Sequence, residues 1–254
     1  MDTAKNIVEV KKLVKNYGKV RAVNGVSFKI VSGEVFGILG PNGAGKTTTL
    51  EMIEGIRQID SGMVIVAGYD VKKQTNMVRG VIGVQPQAPA FQDKTTAKEV
   101  LELFGAAYGK KIDAVELLKK VALTDKADTY TERLSGGQLQ RLSIAAALVH
   151  QPRVLFMDEP TTGLDPQARR NIWSLVKSIQ KQGITVVLTT HYMEEAEKLC
   201  DRVAIMDKGQ IITIDTPNNL VDALIKRGFK KKKQVAQASL EDVFIDLTGK
   251  ELRD

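Results

Sequence analysis

Residues 40–48 read Gly40-Pro41-Asn42-Gly43-Ala44-Gly45-Lys46-Thr47-Thr48. This is the spacing G-x-x-x-x-G-K-[ST], and it follows an apolar run that reads as a strand and precedes a helical pattern. Such a loop lets backbone N–H groups approach a phosphate chain closely, with the helix N-terminus pointing at the same anion. Lys46 then supplies a positive charge for the β- and γ-phosphates, and the Thr47 hydroxyl is a ligand for Mg²⁺. A second string, Asp158-Glu159, ends the apolar run 154–157. A strand end beside a phosphate loop is where one carboxylate, Asp158, can hold Mg²⁺. The next, Glu159, can polarise an attacking water as general base.

A third string is Leu134-Ser135-Gly136-Gly137-Gln138, followed by Leu139-Gln140-Arg141. Ser135 is positioned to cap a helix, and small residues at a helix N-terminus leave amide donors open to an anion. Taken with the phosphate loop before it and Asp158-Glu159 after it, this string makes the chain resemble an ATP-binding cassette (ABC) ATPase, from about residue 7 to residue 210.

The resemblance implies a P-loop NTPase fold: a mostly parallel sheet core, an N-terminal antiparallel β subdomain and an inserted helical subdomain. It implies that residues 40–48 bind ATP with Mg²⁺. Ser135, Gly136, Gly137 and Gln138 would meet the γ-phosphate held by a second cassette, in a head-to-tail dimer around two ATP molecules. Tyr17 resembles the aromatic that stacks on adenine. Gln87, the glutamine after Pro86, resembles the one that touches Mg²⁺ and the water. Asp165, in Gly163-Leu164-Asp165, resembles the loop through which the two sites sense each other, and it also suits a helix N-cap. His191 resembles the histidine at the γ-phosphate. Lys46, Gln87, Glu159 and His191 would then be the catalytic set, with Thr47, Gln87 and Asp158 around the metal.

The elements that must position these groups are legible as alternating patterns. Residues 8–17, 26–30, 34–39 and 81–84 read as strands. Thr96 with Glu99 is a capping-box start, with Val100, Leu103, Phe104 and Ala107 as the expected buried stripe. Residues 113–121 form a second expected helix. Ser135 opens a third, with Leu142, Ala145, Ala146 and Val149 inward. Residues 95–150 are therefore expected to be a helical insertion. The core then resumes with a strand at 154–157 and a helix from Asp165-Pro166 burying Ile172, Leu175, Val176 and Ile179. A strand at 184–188, a helix at 193–200 and a strand at 203–206 complete it. This alternation predicts a parallel sheet covered on both faces. Residues 1–215 read as one cassette and 216–254 as a tail of two short helices around the lysine run 230–233, itself read as a solvated cluster. His150 reads as a helix-end residue, and Cys200 and Trp173 as packing.

Composition narrows the function classes. A single cysteine forbids an intramolecular disulfide, and a net charge of +7 suits an anionic ligand while being too small to argue for nucleic acid. No apolar run reaches the roughly 18–20 residues that span a bilayer, and no signal peptide is expected at the N-terminus. The resemblance therefore implies separate integral-membrane permease subunits, a second cassette subunit (a homodimer suffices) and a peripheral place on the cytoplasmic face of the membrane. The strings Thr162-Gly163-Leu164-Asp165-Pro166, Thr190-His191-Tyr192-Met193-Glu194-Glu195-Ala196 and Ser239-Leu240-Glu241-Asp242-Val243-Phe244 resemble the type-two exporters of drugs, lipids or polysaccharides. The alternative is a soluble cassette that remodels ribosomes or chromosomes. It is disfavoured by the single cassette and by the lack of a long heptad stretch before Ser135.

Overall fold

The computed structural model describes residues 5–229. Long alternating runs open the chain as the antiparallel pair β1 (Asn6–Tyr17) and β2 (Val20–Val31), turned at Gly18. After β3 (Val35–Leu39) and α1 (Lys46–Ile53) come β4 (Ser61–Val66), β5 (Tyr69–Asp70), the short α2 (Thr75–Arg79) and β6 (Ile82–Gln85). The helices α3 (Ala97–Ala107), α4 (Ala114–Lys120) and α5 (Gly136–Leu148) follow in succession. The chain then alternates β7 (Val154–Asp158), α6 (Pro166–Lys181), β8 (Thr185–Thr190), α7 (Met193–Leu199) and β9 (Arg202–Asp207), and closes on β10 (Gln210–Asp215). The chain divides into two units at Asn218/Asn219. Helix α8 (Pro217–Lys226) carries the chain into the second. The expected second tail helix, the lysine run 230–233 and the string at 239–244 lie outside the described residues.

One sheet has the order β2-β1-β4-β5 and is antiparallel. The other has six strands, β10-β9-β3-β8-β7-β6. The ladders from β9 to β6 are parallel, and only the edge strand β10 runs against its neighbour. Every residue of β3, β7 and β8 is buried, which is why their apolar residues come in unbroken runs rather than alternating, with buried threonines and Asp158 only at the ends of β7 and β8,. Their side chains split between two cores. Val35, Leu39, Leu155, Met157, Val186 and Leu188 face one packed by the helices α3 to α7. Phe36, Ile38, Phe156 and Val187 face another built with α1 and the antiparallel sheet. Phe28 of β2 stacks on Phe36 of β3 with ring centroids 5.3 Å apart, tying the two sheets together. Burying a side chain of this size stabilises by about 1.5–3 kcal/mol.

The helix starts obey the capping rules. Thr96 and Ser135 each close a capping box, and Asp113 and Asp165 each accept a bond from the N3 amide. The expected face of α6 is the buried one, while α5 buries its expected residues together with Gln140, Ser143, Ile144 and Ala147, so it is covered nearly all round rather than along one stripe. The stripe expected on α3 is a correction. Its buried residues are Ala97, Val100, Leu101 and Gly105, whereas Leu103, Phe104 and Ala107 are exposed. Small residues let α3 approach its neighbours closely: a Cβ on Gly105 would already press on Ile112. Phe104 instead meets Phe91 edge-on at 6.4 Å. Strand β2 also begins earlier than expected, because pairing with β1 extends it beyond its own alternating stretch.

Candidate active site

The parallel sheet delivers its chemistry at the C-terminal ends of β3, β7 and β8, where ligand sites of open α/β sheets form. After β3 the chain turns through residues 40–45 into α1. Gly45 sits at φ +99°, and a Cβ there would collide with the Ala22 carbonyl, as one on Gly40 would with that of Met206. The loop can pass only as glycine at these points. Among the described residues the N–H groups of Gly43, Gly45, Lys46 and Thr47 donate to no backbone carbonyl outside regular structure. These are the donors that a phosphate chain would use.

Lys46 is buried, with 4% of its surface exposed. Its ammonium donates to the carbonyls of Gly40 (2.9 Å) and Pro41 (3.1 Å) and lies 3.2 Å from Glu159 Oε1. The other carboxylate oxygen, Oε2, lies 3.1 Å from His191 Nδ1. It also accepts from Thr162 Oγ1 at 3.1 Å and from Gln87 Nε2 at 3.5 Å. Glu159 stands at φ +46°, unusual for a residue with a side chain,. Its amide is held there by the carbonyl (3.2 Å) and the hydroxyl (3.0 Å) of Thr189. Strain of this kind persists only where the surroundings fix it, and it clusters at functional sites.

The two adjacent carboxyls are driven apart electrostatically. Burial pushes Asp158 above its ordinary range, against hydrogen bonds from Thr189 and Thr47 and with the Glu159 charge adding to the rise. Burial also acts to raise Glu159, but the hydrogen bond and charge of Lys46, joined by His191, outweigh it and hold Glu159 low. Glu159 is therefore ionised at neutral pH. Neighbouring groups whose environments separate their titration mark acid–base sites.

Thr47 Oγ1 donates to Asp158 Oδ1 at 3.2 Å. This all-oxygen pair suits a hard divalent cation. Among the described residues there is no group of three or more His, Cys, Asp or Glu side chains that could hold a metal ion by themselves. The donor set therefore fits Mg²⁺ carried in with phosphates and water, the usual mode for that ion.

Lys46, Thr47, Gln87, Asp158, Glu159 and His191 thus form one cluster. The other expected residues stand apart from it. Ser135 and Gly136 are exposed at the start of α5, and among the described residues no hydrogen bond joins them to the cluster. Their neighbours are Leu164 and Ala168, next to Asp165: a Cβ on Gly137 would touch that of Ala168. The α5 N-terminus and the 163–165 loop therefore share one surface. Tyr17, at the end of β1, is 42% exposed and carries Lys15 and Arg57 over its ring at 5.7 and 5.5 Å.

The sequence profile of the ABC transporter family matches residues 23–162. The chain belongs to the ABC transporter ATP-binding cassettes. It is 45% identical over 223 residues to the linearmycin resistance ATP-binding protein LnrL of Bacillus subtilis, covering 86% of this chain and 72% of that one. It is 43% identical over 219 residues to the Nod factor export ATP-binding protein I of Paraburkholderia xenovorans, covering 84% and 72%. Among solved structures, an ATP-binding subunit of an ABC transporter superposes with a TM-score of 0.76 at 28% identity, over 95% of this chain and 99% of that one. A dimeric cassette in a post-hydrolysis state with ADP and Pi gives 0.74 at 28%, over 82% and 98%.

As an ABC ATPase cassette, the chain has supporting residues that its motifs do not spell out. Thr189 donates to Asp158 Oδ1 and accepts from the Glu159 amide, so one hydroxyl aligns both carboxylates. Its sequence signal is a polar pair, Thr189-Thr190, ending an apolar strand. Thr162 holds Glu159 from the other side. His150 is structural, as expected. Its ring stacks on Tyr108 at 3.9 Å, and its Nε2 donates to the Ile82 carbonyl at 2.8 Å. Cys200 is buried, and burial pushes its thiol pKa up.

Proposed function

We propose that this cassette is the ATPase of an exporter. It would work as a head-to-tail dimer around two Mg-ATP at the cytoplasmic face of a membrane, bound to separate membrane-spanning subunits. The observation that carries the mechanism is the Glu159 carboxylate, gripped by Lys46 through one oxygen and set beside His191 through the other. A γ-phosphate competes for the Lys46 ammonium, and the donors of the 43–47 segment close around the phosphate chain. Thr47 and Asp158 would hold Mg²⁺, which neutralises developing charge on the phosphate oxygens. Glu159, released from Lys46, accepts the proton of the attacking water, and Gln87 and His191 orient the water and the γ-phosphate. Tyr17 offers its face to adenine. Ser135, Gly136, Gly137, Gln138 and Asp165 complete the site of the opposite subunit. Export is supported by relatives named for Nod factor export and for linearmycin and daunorubicin resistance. The absence of any membrane-crossing helix among the described residues is consistent with separate membrane subunits.

Glu159→Gln tests the reading. Turnover should fall at least about a hundredfold, the scale of one general base, while ATP binding survives. The variant should then accumulate as an ATP-bound dimer by light scattering in Mg-ATP. Wild-type turnover would remove Glu159 from the mechanism, and a dead variant that never dimerises would remove the sandwich. Co-purification of a multi-spanning membrane protein with the tagged chain tests the partner.

A further inference from the structure

Glu195 is fully buried, on the first turns of α7 and four residues beyond His191. A carboxylate in a core is costly unless its oxygens are engaged, yet no motif accounts for this one. Its Oε1 accepts from Thr161 Oγ1 at 2.8 Å and from Trp173 Nε1 at 3.1 Å. Oε2 has no hydrogen-bond partner among the described residues. Thr161 is itself fully buried and stands two residues beyond Glu159. Trp173 belongs to α6, the helix capped by Asp165. One carboxylate oxygen therefore joins the segment leaving β7 to the two helices that follow the Asp165 and His191 loops.

A second contact chain runs parallel to it. The Arg169 guanidinium of α6 lies 4.6 Å from the Tyr192 ring centroid, and the Tyr192 ring lies 4.2 Å from that of His191. Both routes lead from α6 to the groups around Glu159. We propose that Glu195 is a positioning residue for ATP hydrolysis: it clamps the segment after Glu159 to α7 and α6, so that Glu159, His191 and the Asp165 loop keep one mutual geometry. This rests on the assignment of Glu159 as the base. The hydrogen bond from Thr162 to Glu159 Oε2 places the clamp's effect one residue from the reacting carboxylate. A misplacement of a fraction of an ångström there is expensive in rate and nearly free in nucleotide affinity, because the phosphate loop is anchored independently on β3 and α1.

The test uses three substitutions in the purified full chain. Thr161→Val keeps the side-chain volume and deletes one bond to the clamp. Glu195→Leu deletes both, and Glu195→Gln keeps an acceptor oxygen in the same place. Expected results are a kcat lowered about tenfold or more in Thr161→Val and Glu195→Leu, with KM for ATP within twofold of wild type. Glu195→Gln should recover kcat to within about threefold. Trp173 is the single tryptophan, so its emission should shift in Glu195→Leu, where the indole N–H loses its acceptor, and stay close to wild type in Glu195→Gln. Should Glu195→Leu not fold, Thr161→Val against Glu195→Gln decides alone. A lowered melting temperature with unchanged kcat would overturn the proposal in favour of a purely structural carboxylate. So would a fall in Glu195→Gln as deep as in Thr161→Val, or a loss of ATP affinity matching the loss of kcat. Glu159→Gln, run alongside, separates the failures. If it still turns over, the assignment of the base has failed. If it is dead while Thr161→Val and Glu195→Leu are unaffected, only the clamp has.

Discussion

Replacing Lys46 with methionine keeps the length of the side chain and deletes its ammonium. The structure fixes two consequences. The first is on stability in nucleotide-free buffer. Lys46 and Glu159 are a buried pair with side chains 4% and 8% exposed. Removing one member of such a pair costs about 3–5 kcal/mol, because the other is left without its counter-charge. Here Glu159 keeps His191, Thr162 and Gln87, so the low end, about 3 kcal/mol, is expected. For a chain of this size that is a drop of roughly 6–12 °C in melting temperature.

The sign of the pH dependence follows from the titration of Glu159. In the wild type its folded-state pKa is depressed, so its contribution to stability is present above the ordinary carboxylate range and is lost as pH falls through the depressed value,. Without Lys46, burial, already the largest single influence on the group, is opposed only by the weaker pull of His191, so the carboxyl moves up and the variant gains from protonation where the wild type loses. The gap in melting temperature should therefore be widest near pH 7 and shrink toward pH 4. The second consequence is on ligand binding. The lost charge-assisted bonds to phosphate, about 1.5–3 kcal/mol each, weaken ATP binding roughly ten- to a hundredfold. Thermal scans at pH 4, 5.5 and 7 read the first, and a titration with labelled ATP reads the second. A melting-temperature gap independent of pH would refute the electrostatic account, and unchanged ATP affinity would refute the role of Lys46 at the phosphates.

Gly45→Ala should lower ATP affinity at least about tenfold without touching a catalytic side chain, because the new Cβ meets the Ala22 carbonyl at a positive φ,; isothermal titration checks it. Ser135→Arg should cost about 1 kcal/mol for the lost cap,, leave ATP binding by single chains intact, and abolish the rise of specific activity with protein concentration. Activity that still rises would count against the composite site. Glu54 is buried and pushed up to about 8 by burial, with Asp158 and Glu51 adding to the rise. A raised carboxyl stabilises the fold fully below its unfolded value near 4.5 and loses that contribution as pH rises toward 8. Glu54→Gln should therefore gain on wild type in thermal scans between pH 5 and pH 8.5, and equal differences at the two pH values would show that Glu54 titrates normally.

The strings of the candidate site were legible in the sequence because each is a local device: a loop that only glycine permits, a helix cap, a carboxylate at the end of an apolar strand. The parallel core was legible because five- and six-residue apolar runs between helical patterns have few other solutions. What escaped was set by partners distant in sequence. The strands β4, β5 and β10 carry mostly partly or fully exposed side chains, so they show no apolar alternation of their own and are defined by the strands they pair with. The inward face of α3 depends on close approach through Ala97 and Gly105, and small residues leave a weak periodic signal. Glu195 reads as one more charge on a helix rich in them, since its partners Trp173 and Thr161 are 22 and 34 residues away.

On the proposed mechanism Lys46 would do more than attract phosphate. Its ammonium has a small number of donors, and in this structure they go to two loop carbonyls and to Glu159. A phosphate that takes one of them must take it from that set. The loop carbonyls can turn to water, but the carboxylate is buried, so the bond to Glu159 is the consequential one to lose. Losing it removes the leading influence that holds Glu159 low, and burial then raises its proton affinity. A base becomes more effective as its pKa approaches the working pH from below. On the proposed mechanism, nucleotide arrival would thereby strengthen the base that takes the proton of the attacking water, and Glu159 would stay a poor proton acceptor while Lys46 remains its partner. On that mechanism, hydrolysis would be tied in this way to occupancy of the phosphate loop by a single shared cation, with His191 and Thr162 holding the carboxylate during the exchange.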